Sequence, residues 1–483
     1  MALFAPPKQE MLKLKKTVTG TLYDLSPSQQ TMYFMIKYSL HKQVIQIPTS
    51  FSVKKELDFR ILAKAVNIEI ARNDCLRLRF LKQDRQVKQY FLQKFELEKI
   101  RVLRFRDDKE QTEFFNADAE KPVKFFKDET FRIYFFKNEN GEQGVFFNVC
   151  HMVMDALAVS IFYKDLFEIY SALEKRQPLP APLSSFEEHL SKEFAYLKNK
   201  KKYSADAEFI REYHKRGGEP YYCGLHGKQL LEKQRIKKKN PALRVPAAYD
   251  PIHDRCELFH VRVEPQKAEK ILDFCRENNI APETLIQTGF RLYASALHDK
   301  INDTFMMVLC GRRVTKKEQH MGGCLAQPFM TRVILKNENS FMQTLDEISA
   351  LRTELFRHMN FPYLSSRKIQ QEVYGYSAAQ GPSFMMYTWL PLARLNVFGP
   401  DVKETFRGYN PGRYVMPLYA FSFVDPTDGG LDFYYMFRTN ILKKEHIEAL
   451  HKNALKAIEA GINAPETTVE TLLELVSPGF ENR

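Results

Sequence analysis

Two residues in the first third of the chain, His151 and Asp155, have the types and the spacing suited to proton transfer. An apolar segment typical of a strand, residues 145–149, ends just before His151, and a helix is predicted to begin four residues later. A neutral imidazole is well matched to accept a proton near pH 7. An aspartate at the start of a helix caps its free backbone N–H groups. Taken alone, the pattern fits either a catalytic base or a hydrogen-bonded histidine that serves packing.

The elements that would position these residues fall into two similar halves. Strands and helices alternate over residues 21–177, with a long helix predicted over 155–174, and a comparable alternation occupies residues 251–475. This arrangement predicts an α/β fold with two lobes, each a mixed sheet with flanking helices. Clefts between lobes are favoured ligand sites, so we expect the chemistry to lie between them.

The segment between the halves, residues 178–250, has a different composition. Seven prolines lie between residues 178 and 251, and residues 181–250 contain 15 Lys+Arg against 9 Asp+Glu, which leaves a surplus of 6 positive charges. We predict a basic helical connector here and a short N-terminal tail over residues 1–20. Its lysine runs are typical of solvated helix faces.

The charge of the whole chain restricts its partners. Lys and Arg number 72 against 59 Asp and Glu, which gives a formal net charge of +13. Such an excess fits nucleic acid, an anionic membrane surface or an acidic protein. No nucleic-acid-binding motif accompanies the basic runs, and no window approaches 18 consecutive apolar residues. Nucleic acid therefore lacks the support of a motif and no membrane span is predicted, while an anionic membrane surface and an acidic protein partner both stay open.

Motif searches exclude several enzyme classes. The chain has no phosphate-binding loop, dinucleotide-binding glycine motif, zinc-protease motif or serine-hydrolase elbow. Its 12 histidines are dispersed, so no metal site is indicated. Its 7 cysteines occur singly, without a C-x-x-C pair, which favours a reducing, cytoplasmic location over secretion.

The pattern around His151 belongs to a set of short segments that resemble one family in their order and spacing. The sequence is similar to the condensation domains of nonribosomal peptide synthetases and to their chloramphenicol-acetyltransferase-like relatives, which share an H-x-x-x-D motif. The resemblance spans residues 21–460. The matching segments are Leu25-Ser-Pro-Ser-Gln29, Arg72 to Phe80, His151-x-x-x-Asp155, Gly311-Arg312 and Met321-Gly322.

The resemblance implies an architecture and a role for each motif residue. It implies two chloramphenicol-acetyltransferase-like lobes around a central tunnel. His151 would be the general base, and Asp155 would turn away from the substrate to pair with an arginine of the other lobe. By position Arg312 is the expected partner, with Arg313 as the second choice. The segment with Tyr387 and Trp389 is where a tunnel wall is expected, although it fits an ordinary core strand equally well.

The implied reaction is the transfer of an acyl or aminoacyl group from a thioester to an amine or hydroxyl. We therefore expect a stand-alone condensation-type acyltransferase that forms an amide or ester with a small-molecule amine or alcohol. A thioester is already activated, so no intrinsic cofactor is expected. The donor would arrive on the phosphopantetheine arm of an acidic acyl or peptidyl carrier protein, or on coenzyme A.

Two alternatives stand beside this expectation. One is a coenzyme-A-dependent alcohol or amine acyltransferase of the same fold. The other is a catalytically silent, condensation-like docking module. The sequence departs from the family pattern at four positions: Cys150 replaces the first histidine of a doublet, Ala156 a glycine and Asn73 a histidine, and Ala326 lies near an expected asparagine. The first three of these favour the silent module. The retained H-x-x-x-D pair favours catalysis.

Overall fold

A computed structural model describes residues 20–127, 129–225, 229–298, 301–392 and 395–477. The predicted N-terminal tail over residues 1–20 lies outside these ranges except for Gly20. The described residues form mixed α/β structure with three sheets, which confirms the predicted fold class. Within the same ranges, every helix lacks the length or the apolar character needed to cross a membrane.

The first half of the chain contributes four strands to a five-stranded sheet and three strands to a small sheet. The elements are β1 (Tyr23–Asp24), α1 (Pro27–Tyr38), β2 (Gln46–Val53), α2 (Phe59–Arg72), β3 (Leu78–Gln83), β4 (Gln86–Phe91), β5 (Val102–Phe105), α3 (Asp108–Ala119), β6 (Phe131–Asn138), β7 (Gln143–Cys150) and α4 (Ala156–Glu174). In the larger sheet, β2, β7, β6 and β5 are consecutive, and one further strand lies beside β2. In the small sheet, β4 lies between β1 and β3.

Apolar residues on both faces of β7 explain why helices cover both sides of the larger sheet. Phe147 stacks on Phe162 of α4 with ring centroids 4.3 Å apart, and Phe146 stacks on Phe115 of α3 at 4.1 Å. Successive residues of a strand point to opposite faces. β7 is therefore held between α3 and α4, which determines where the strand ends and where α4 begins.

Three helices occupy the connector, namely α5 (Phe186–Lys198), α6 (Lys200–Lys215) and α7 (Gln229–Lys238). Helix α6 packs against the second half of the chain. Tyr203 donates a hydrogen bond to Ser365 at 2.8 Å, and Nδ1 of His358 lies 2.7 Å from a carboxylate oxygen of Asp206. The connector is thus part of the folded body.

The second half forms a six-stranded sheet in the order β10-β9-β11-β13-β14-β8. Helices α9 and α13 pack closely together at Gly289. A Cβ atom at this position would lie only 2.8 Å from the carbonyl oxygen of Ala454, so glycine permits the close approach. The elements are β8 (Cys256–Val263), α8 (Pro265–Glu277), α9 (Pro282–Leu297), β9 (Asp303–Cys310), α10 (Lys316–Gln319), β10 (Gln327–Ile334), α11 (Phe341–Phe356), α12 (Tyr363–Tyr374), β11 (Met386–Trp389), β12 (Glu404–Gly408), β13 (Leu418–Val424), β14 (Leu431–Arg438), α13 (Lys444–Asn463) and α14 (Val469–Val476).

One strand of the second half crosses to the sheet of the first half. Strand β12 pairs antiparallel with β2, with Phe406 opposite Phe51. The prediction that residues 251–475 form one lobe is therefore wrong for this strand. Tyr409 anchors the crossover, because its hydroxyl lies 2.8 Å from Oγ of Ser50 and accepts a hydrogen bond from Nε2 of Gln111 at 3.0 Å. The first sheet is incomplete without the second half.

We expect Tyr409→Phe to lower the free energy of unfolding by about 1–3 kcal/mol, because it leaves the buried Ser50 hydroxyl and Gln111 amide without this partner. Urea-induced unfolding monitored by circular dichroism measures the change. Tyr38→Phe is the matched control, since Tyr38 is 50% exposed. Equal unfolding midpoints for the two variants would contradict the anchoring role of the Tyr409 hydroxyl.

Candidate active site

His151 follows β7 directly and borders a large cavity between the two halves of the chain. Its backbone N–H donates to the carbonyl of Ile45 at 2.8 Å, which continues the pairing of β7 with the neighbouring chain segment. Burial lowers the pKa of the His151 imidazole below its usual value, against the opposing effect of the Asp155 carboxylate. The ring is therefore neutral near pH 7, which is the form that can accept a proton.

The two ring nitrogens of His151 have different surroundings. Nδ1 lies 3.8 Å from Sγ of Cys324. Among the described residues, Nε2 has no hydrogen-bonding partner. Nε2 is thus the nitrogen available to a molecule in the cavity.

Asp155 is a buried cap at the start of α4 rather than a group that faces the cavity. One carboxylate oxygen accepts from the N–H of Ala158 at 2.9 Å. The other accepts from the N–H groups of Leu325 and Ala326 at 2.9 and 3.0 Å and from Nη1 of Arg313 at 2.7 Å. Burial would raise the pKa of Asp155, but Arg313 and these hydrogen bonds hold it below its usual value. Asp155 is therefore charged, and it holds the two halves together.

The partner of Asp155 is Arg313, so the expectation of Arg312 was wrong and the second choice is correct. The Arg313 side chain is only 2% exposed, and its Nη2 also donates to the carbonyl of Gly323 at 3.0 Å. Arg312 has a left-handed backbone with a φ of 51°. This conformation interrupts the alternation of side-chain directions that an extended chain would continue after β9. As a result Arg313, and not Arg312, faces Asp155.

Arg312 has a separate structural role at a junction of three segments. Its Nε donates to the carbonyl of Leu325 at 2.7 Å, and its Nη2 donates to Glu193 of α5 at 2.9 Å and to Oγ of Ser28 in α1 at 3.2 Å. The side chain of Arg312 is 3% exposed. Arg312 therefore connects the connector and α1 to the loop after β9.

The segment Leu25–Gln29 positions the His151 loop from the other side. Ser26 caps α1 by accepting from the N–H of Gln29 at 3.3 Å, and the Gln29 side chain accepts in return from the backbone N–H of Ser26. Nε2 of Gln29 also donates to the carbonyl of Met152 at 3.0 Å. The motif that resembles the family's opening segment thus fixes the backbone next to His151.

Three of the departures from the family pattern are sterically accommodated. Cys150 is 1% exposed, and burial raises the pKa of its thiol to about 12, so it is an uncharged packing residue. Ala156 lies on the cavity wall beside His151. Asn73 is buried and donates to Glu69 at 2.9 Å. None of these residues displaces the pair of His151 and Asp155.

Cys324 is close to His151 but is unsuited to nucleophilic chemistry. Its side chain is 1% exposed and does not line the cavity. Burial raises the pKa of the thiol well above its usual value. The thiolate is the reactive form of cysteine, so Cys324 stays inert. Within the described residues, no cluster of three or more His, Cys, Asp or Glu side chains could hold a metal ion.

The cavity that His151 borders has a volume of about 750 Å³ and is walled by both halves. From the first half come α1, β2 and the start of α4, and from the second half come β9, β10 and α12. Most lining side chains are apolar. This volume lies within the range of small-molecule sites, which is roughly 300–1,000 Å³.

The structure places neither Tyr387 nor Trp389 on the wall of this cavity, so their assignment to the tunnel was wrong. Tyr387 is fully buried in the core of the second half, and its hydroxyl lies 2.7 Å from Oγ of Ser422. Trp389 packs against the same core. Met386 and Leu390 line the cavity instead, because side chains alternate along a strand and the two aromatic residues have the opposite parity to Met386.

Comparison with protein families identifies one family over nearly the whole chain. The family model described as Condensation domain matches residues 20–481. Among curated proteins, a subunit of plipastatin synthase from Bacillus subtilis (strain 168) is 21% identical over 454 residues, which cover 93% of this chain and 17% of the relative. Surfactin synthase subunit 1 of the same organism is 19% identical over 478 residues, which cover 94% of this chain and 12% of the relative. The chain thus spans less than a fifth of these relatives.

Solved structures share the whole fold. The first condensation domain of the calcium-dependent antibiotic synthetase, in complex with substrate analogue 3a, has a TM-score of 0.76 at 15% identity and covers 93% of this chain and 98% of its own. A mutant of the starter condensation domain of rhizomide synthetase, in complex with C8-CoA, has a TM-score of 0.76 at 13% identity, with 93% and 97% covered. The two-lobed fold, together with the family match over residues 20–481, shows that this chain belongs to the condensation domain family.

Proposed function

We propose that the protein is a condensation-type acyltransferase that joins an acyl or aminoacyl thioester to an amine or hydroxyl and so forms an amide or ester. The position of His151 carries this proposal, because its neutral imidazole borders the cavity between the two halves. Membership of the condensation domain family supports the reaction class.

The proposed chemistry is acyl transfer through a tetrahedral intermediate. The acceptor nitrogen or oxygen attacks the thioester carbonyl carbon while Nε2 of His151 accepts the proton that the acceptor loses. The intermediate then collapses as the carbon–sulfur bond breaks and the proton on the imidazolium passes to the departing sulfur. His151 returns to its neutral form, so the cycle needs no further reactant.

Asp155 and Arg313 are positioning residues in this proposal. Asp155 does not line the cavity, and its carboxylate is fully engaged by Ala158, Leu325, Ala326 and Arg313. Its ion pair with Arg313 keeps the start of α4 against the loop of the second half. The His151 loop lies directly before α4, so its place on the cavity wall depends on this contact.

We further propose that the donor is an acyl group on the phosphopantetheine arm of an acidic carrier protein and that the acceptor is a small-molecule amine or alcohol. The resemblance to condensation domains of nonribosomal peptide synthetases, supported by the family match, implies a donor bound in this way. The net charge of +13 supports an acidic partner, since opposite charges raise encounter rates. The exposed Lys237 and Lys238 of α7 belong to this basic surplus.

A coenzyme-A-dependent acyltransferase is a second candidate function. The starter condensation domain of rhizomide synthetase, which has the same fold, was solved with C8-CoA. Coenzyme A carries the same thiol arm as a carrier protein, so the two donors differ chiefly in what lies outside the cavity. A direct comparison of donors separates them.

We expect His151→Ala to reduce acyl transfer by about a hundredfold or more, because the variant lacks the general base. The measurement is the rate of product formation from an acyl thioester, with thermal unfolding recorded to show that the variant folds. His320→Ala is the matched control, since His320 is exposed and does not line the cavity. Near-normal turnover by His151→Ala would contradict the proposed base and would indicate a proton path through another group. Absence of turnover by the unaltered protein with every donor would favour the silent docking module.

We expect Asp155→Ala to lower stability by about 3–5 kcal/mol, because it leaves the buried Arg313 without its partner, and to lower activity with it. In a double-mutant cycle of unfolding free energies, Asp155 and Arg313 should show a coupling of about 0.5–3 kcal/mol. The comparison cycle pairs Asp155 with Arg312 and should give the smaller coupling. Additive effects of Asp155→Ala and Arg313→Ala would show that the ion pair does not join the halves. Asp155→Asn provides a milder variant for the same cycle.

We expect transfer from an acidic carrier protein to slow markedly as salt rises, because the Debye length is about 10 Å at 0.1 M salt and steered encounters are screened. The assay presents one acyl group on carrier protein, on coenzyme A and on a short uncharged thiol, each across a salt series. The uncharged thioester should show little salt dependence. Equal efficiency of carrier protein and coenzyme A at every salt concentration would favour the soluble coenzyme-A donor.

A further inference from the structure

The lining of the cavity is strongly biased in charge. Among the lining side chains of the described residues there is no aspartate or glutamate, and the ionisable cationic groups are His151, Arg367 and Lys368. His151 is neutral near pH 7 because burial lowers its pKa. The fixed charge on the wall is therefore positive, and it comes from one turn of α12.

The remainder of the wall is apolar and adaptable. Seven of the chain's 16 methionines line the cavity. Methionine side chains are flexible and fill irregular spaces, so such a wall adjusts to a long chain without a fixed shape. Aromatic and aliphatic residues supply the remaining apolar surface. The methionines are Met32, Met35, Met307, Met330, Met386, Met416 and Met436.

The two cations lie at the rim of the cavity. One face of α12 contributes Tyr363, Leu364, Arg367, Lys368 and Gln371 to the wall, a spacing that follows the helical repeat. Lys368 is exposed and Arg367 is half-buried, whereas most of the apolar lining is buried more deeply. A ligand that fills the cavity would therefore meet these charges where it emerges.

The charges of Arg367 and Lys368 are not balanced by a protein carboxylate. Within the described part of the chain neither residue forms an ion pair. The Arg367 guanidinium donates to the side-chain oxygen of Gln370 and to the backbone carbonyls of Ala378 at 3.4 Å and Gln380 at 2.6 Å, all of which are uncharged. Glu372, one turn further along α12, is paired with Arg211 at 2.9 Å. An oxyanion at this rim would therefore meet two positive charges that no carboxylate neutralises.

We infer that the cavity takes an amphiphile, with a long unbranched apolar chain inside and an anionic group against Arg367 and Lys368 at the rim. This inference rests on the proposed function, in which the chain is the acyl group of the donor. The anionic group is an oxyanion from one of two sources: the phosphate of the donor's pantetheine arm or a carboxylate on the acceptor. A short acyl group would leave most of the apolar wall without a partner.

Equilibrium binding tests the inference without requiring catalysis. Alkyl phosphates of six to twelve carbons, together with dodecanoate, dodecanol and dodecyltrimethylammonium, compete with a fluorescent 11-(dansylamino)undecanoate probe below their micelle concentrations. We expect affinity to rise about fourfold for each added methylene and the anionic dodecyl compounds to bind about tenfold more tightly than dodecanol. These measurements use neither a thioester nor an acceptor, so a failed proposed function would leave this result intact.

Substitutions at the rim and on the wall locate the two parts of the ligand. Lys368→Glu should abolish the preference for anions, while Arg367→Lys, which keeps the charge, should retain most of it. Lys200→Glu on α6 is the control for a change of surface charge, since Lys200 does not line the cavity. Met35→Trp should weaken the binding of every alkyl ligand, because Met35 lines the cavity. Lys37→Trp, on the exposed face of α1, should leave the binding of these ligands unchanged.

Transfer kinetics distinguish the two sources of the oxyanion. Decanoyl thioesters of pantetheine and of 4′-phosphopantetheine are compared with an amino acid and its amide as acceptors. If Lys368→Glu raises KM for the phosphorylated donor alone, the rim binds phosphate, and if it raises KM for the free acid acceptor alone, the rim binds a carboxylate. Equal binding of dodecanol and dodecyl phosphate, or affinity independent of chain length, would overturn the inference.

Discussion

The buried ion pair between Asp155 and Arg313 is the contact on which the site depends. Both side chains are 2% exposed, and their charged atoms lie 2.7 Å apart. A buried charge is costly unless it is paired and hydrogen-bonded. The Asp155 carboxylate meets that requirement only when α4 and the loop containing Leu325 and Ala326 are in contact. Local separation of the halves here would therefore leave two unpaired charges.

Several further contacts between the two halves hold them in the arrangement that leaves the cavity between them. Arg312 connects the loop after β9 to α1 and α5. Strand β12 adds an edge to the sheet of the first half, and Tyr409 anchors it through Ser50 and Gln111. The space between the lobes is consequently bounded by both halves and belongs to neither alone.

The same packing keeps His151 in the neutral form that the proposed proton transfer requires. The apolar wall removes water from the imidazole and so lowers its pKa, while the Asp155 charge opposes that effect and limits it. The cation that Asp155 attracts is Arg313, and His151 itself borders the cavity. One carboxylate thus serves α4, the contact between the lobes and the electrostatics of His151.

The sequence by itself determined the local features: a strand that ends at His151, a helix that begins at Asp155, two α/β halves, and the order of the family-like segments. These follow from apolar periodicity and capping, which act over a few residues. Tertiary structure decided the rest. A left-handed backbone at Arg312 selected Arg313 as the partner of Asp155. The pairing of β11 with its neighbours in the sheet decided which of its two faces meets the core, so that Tyr387 lies in the core and Met386 lines the cavity. The crossing of β12 depended on its partner strand β2, which is more than 300 residues away in the chain, and no local pattern encodes such a contact.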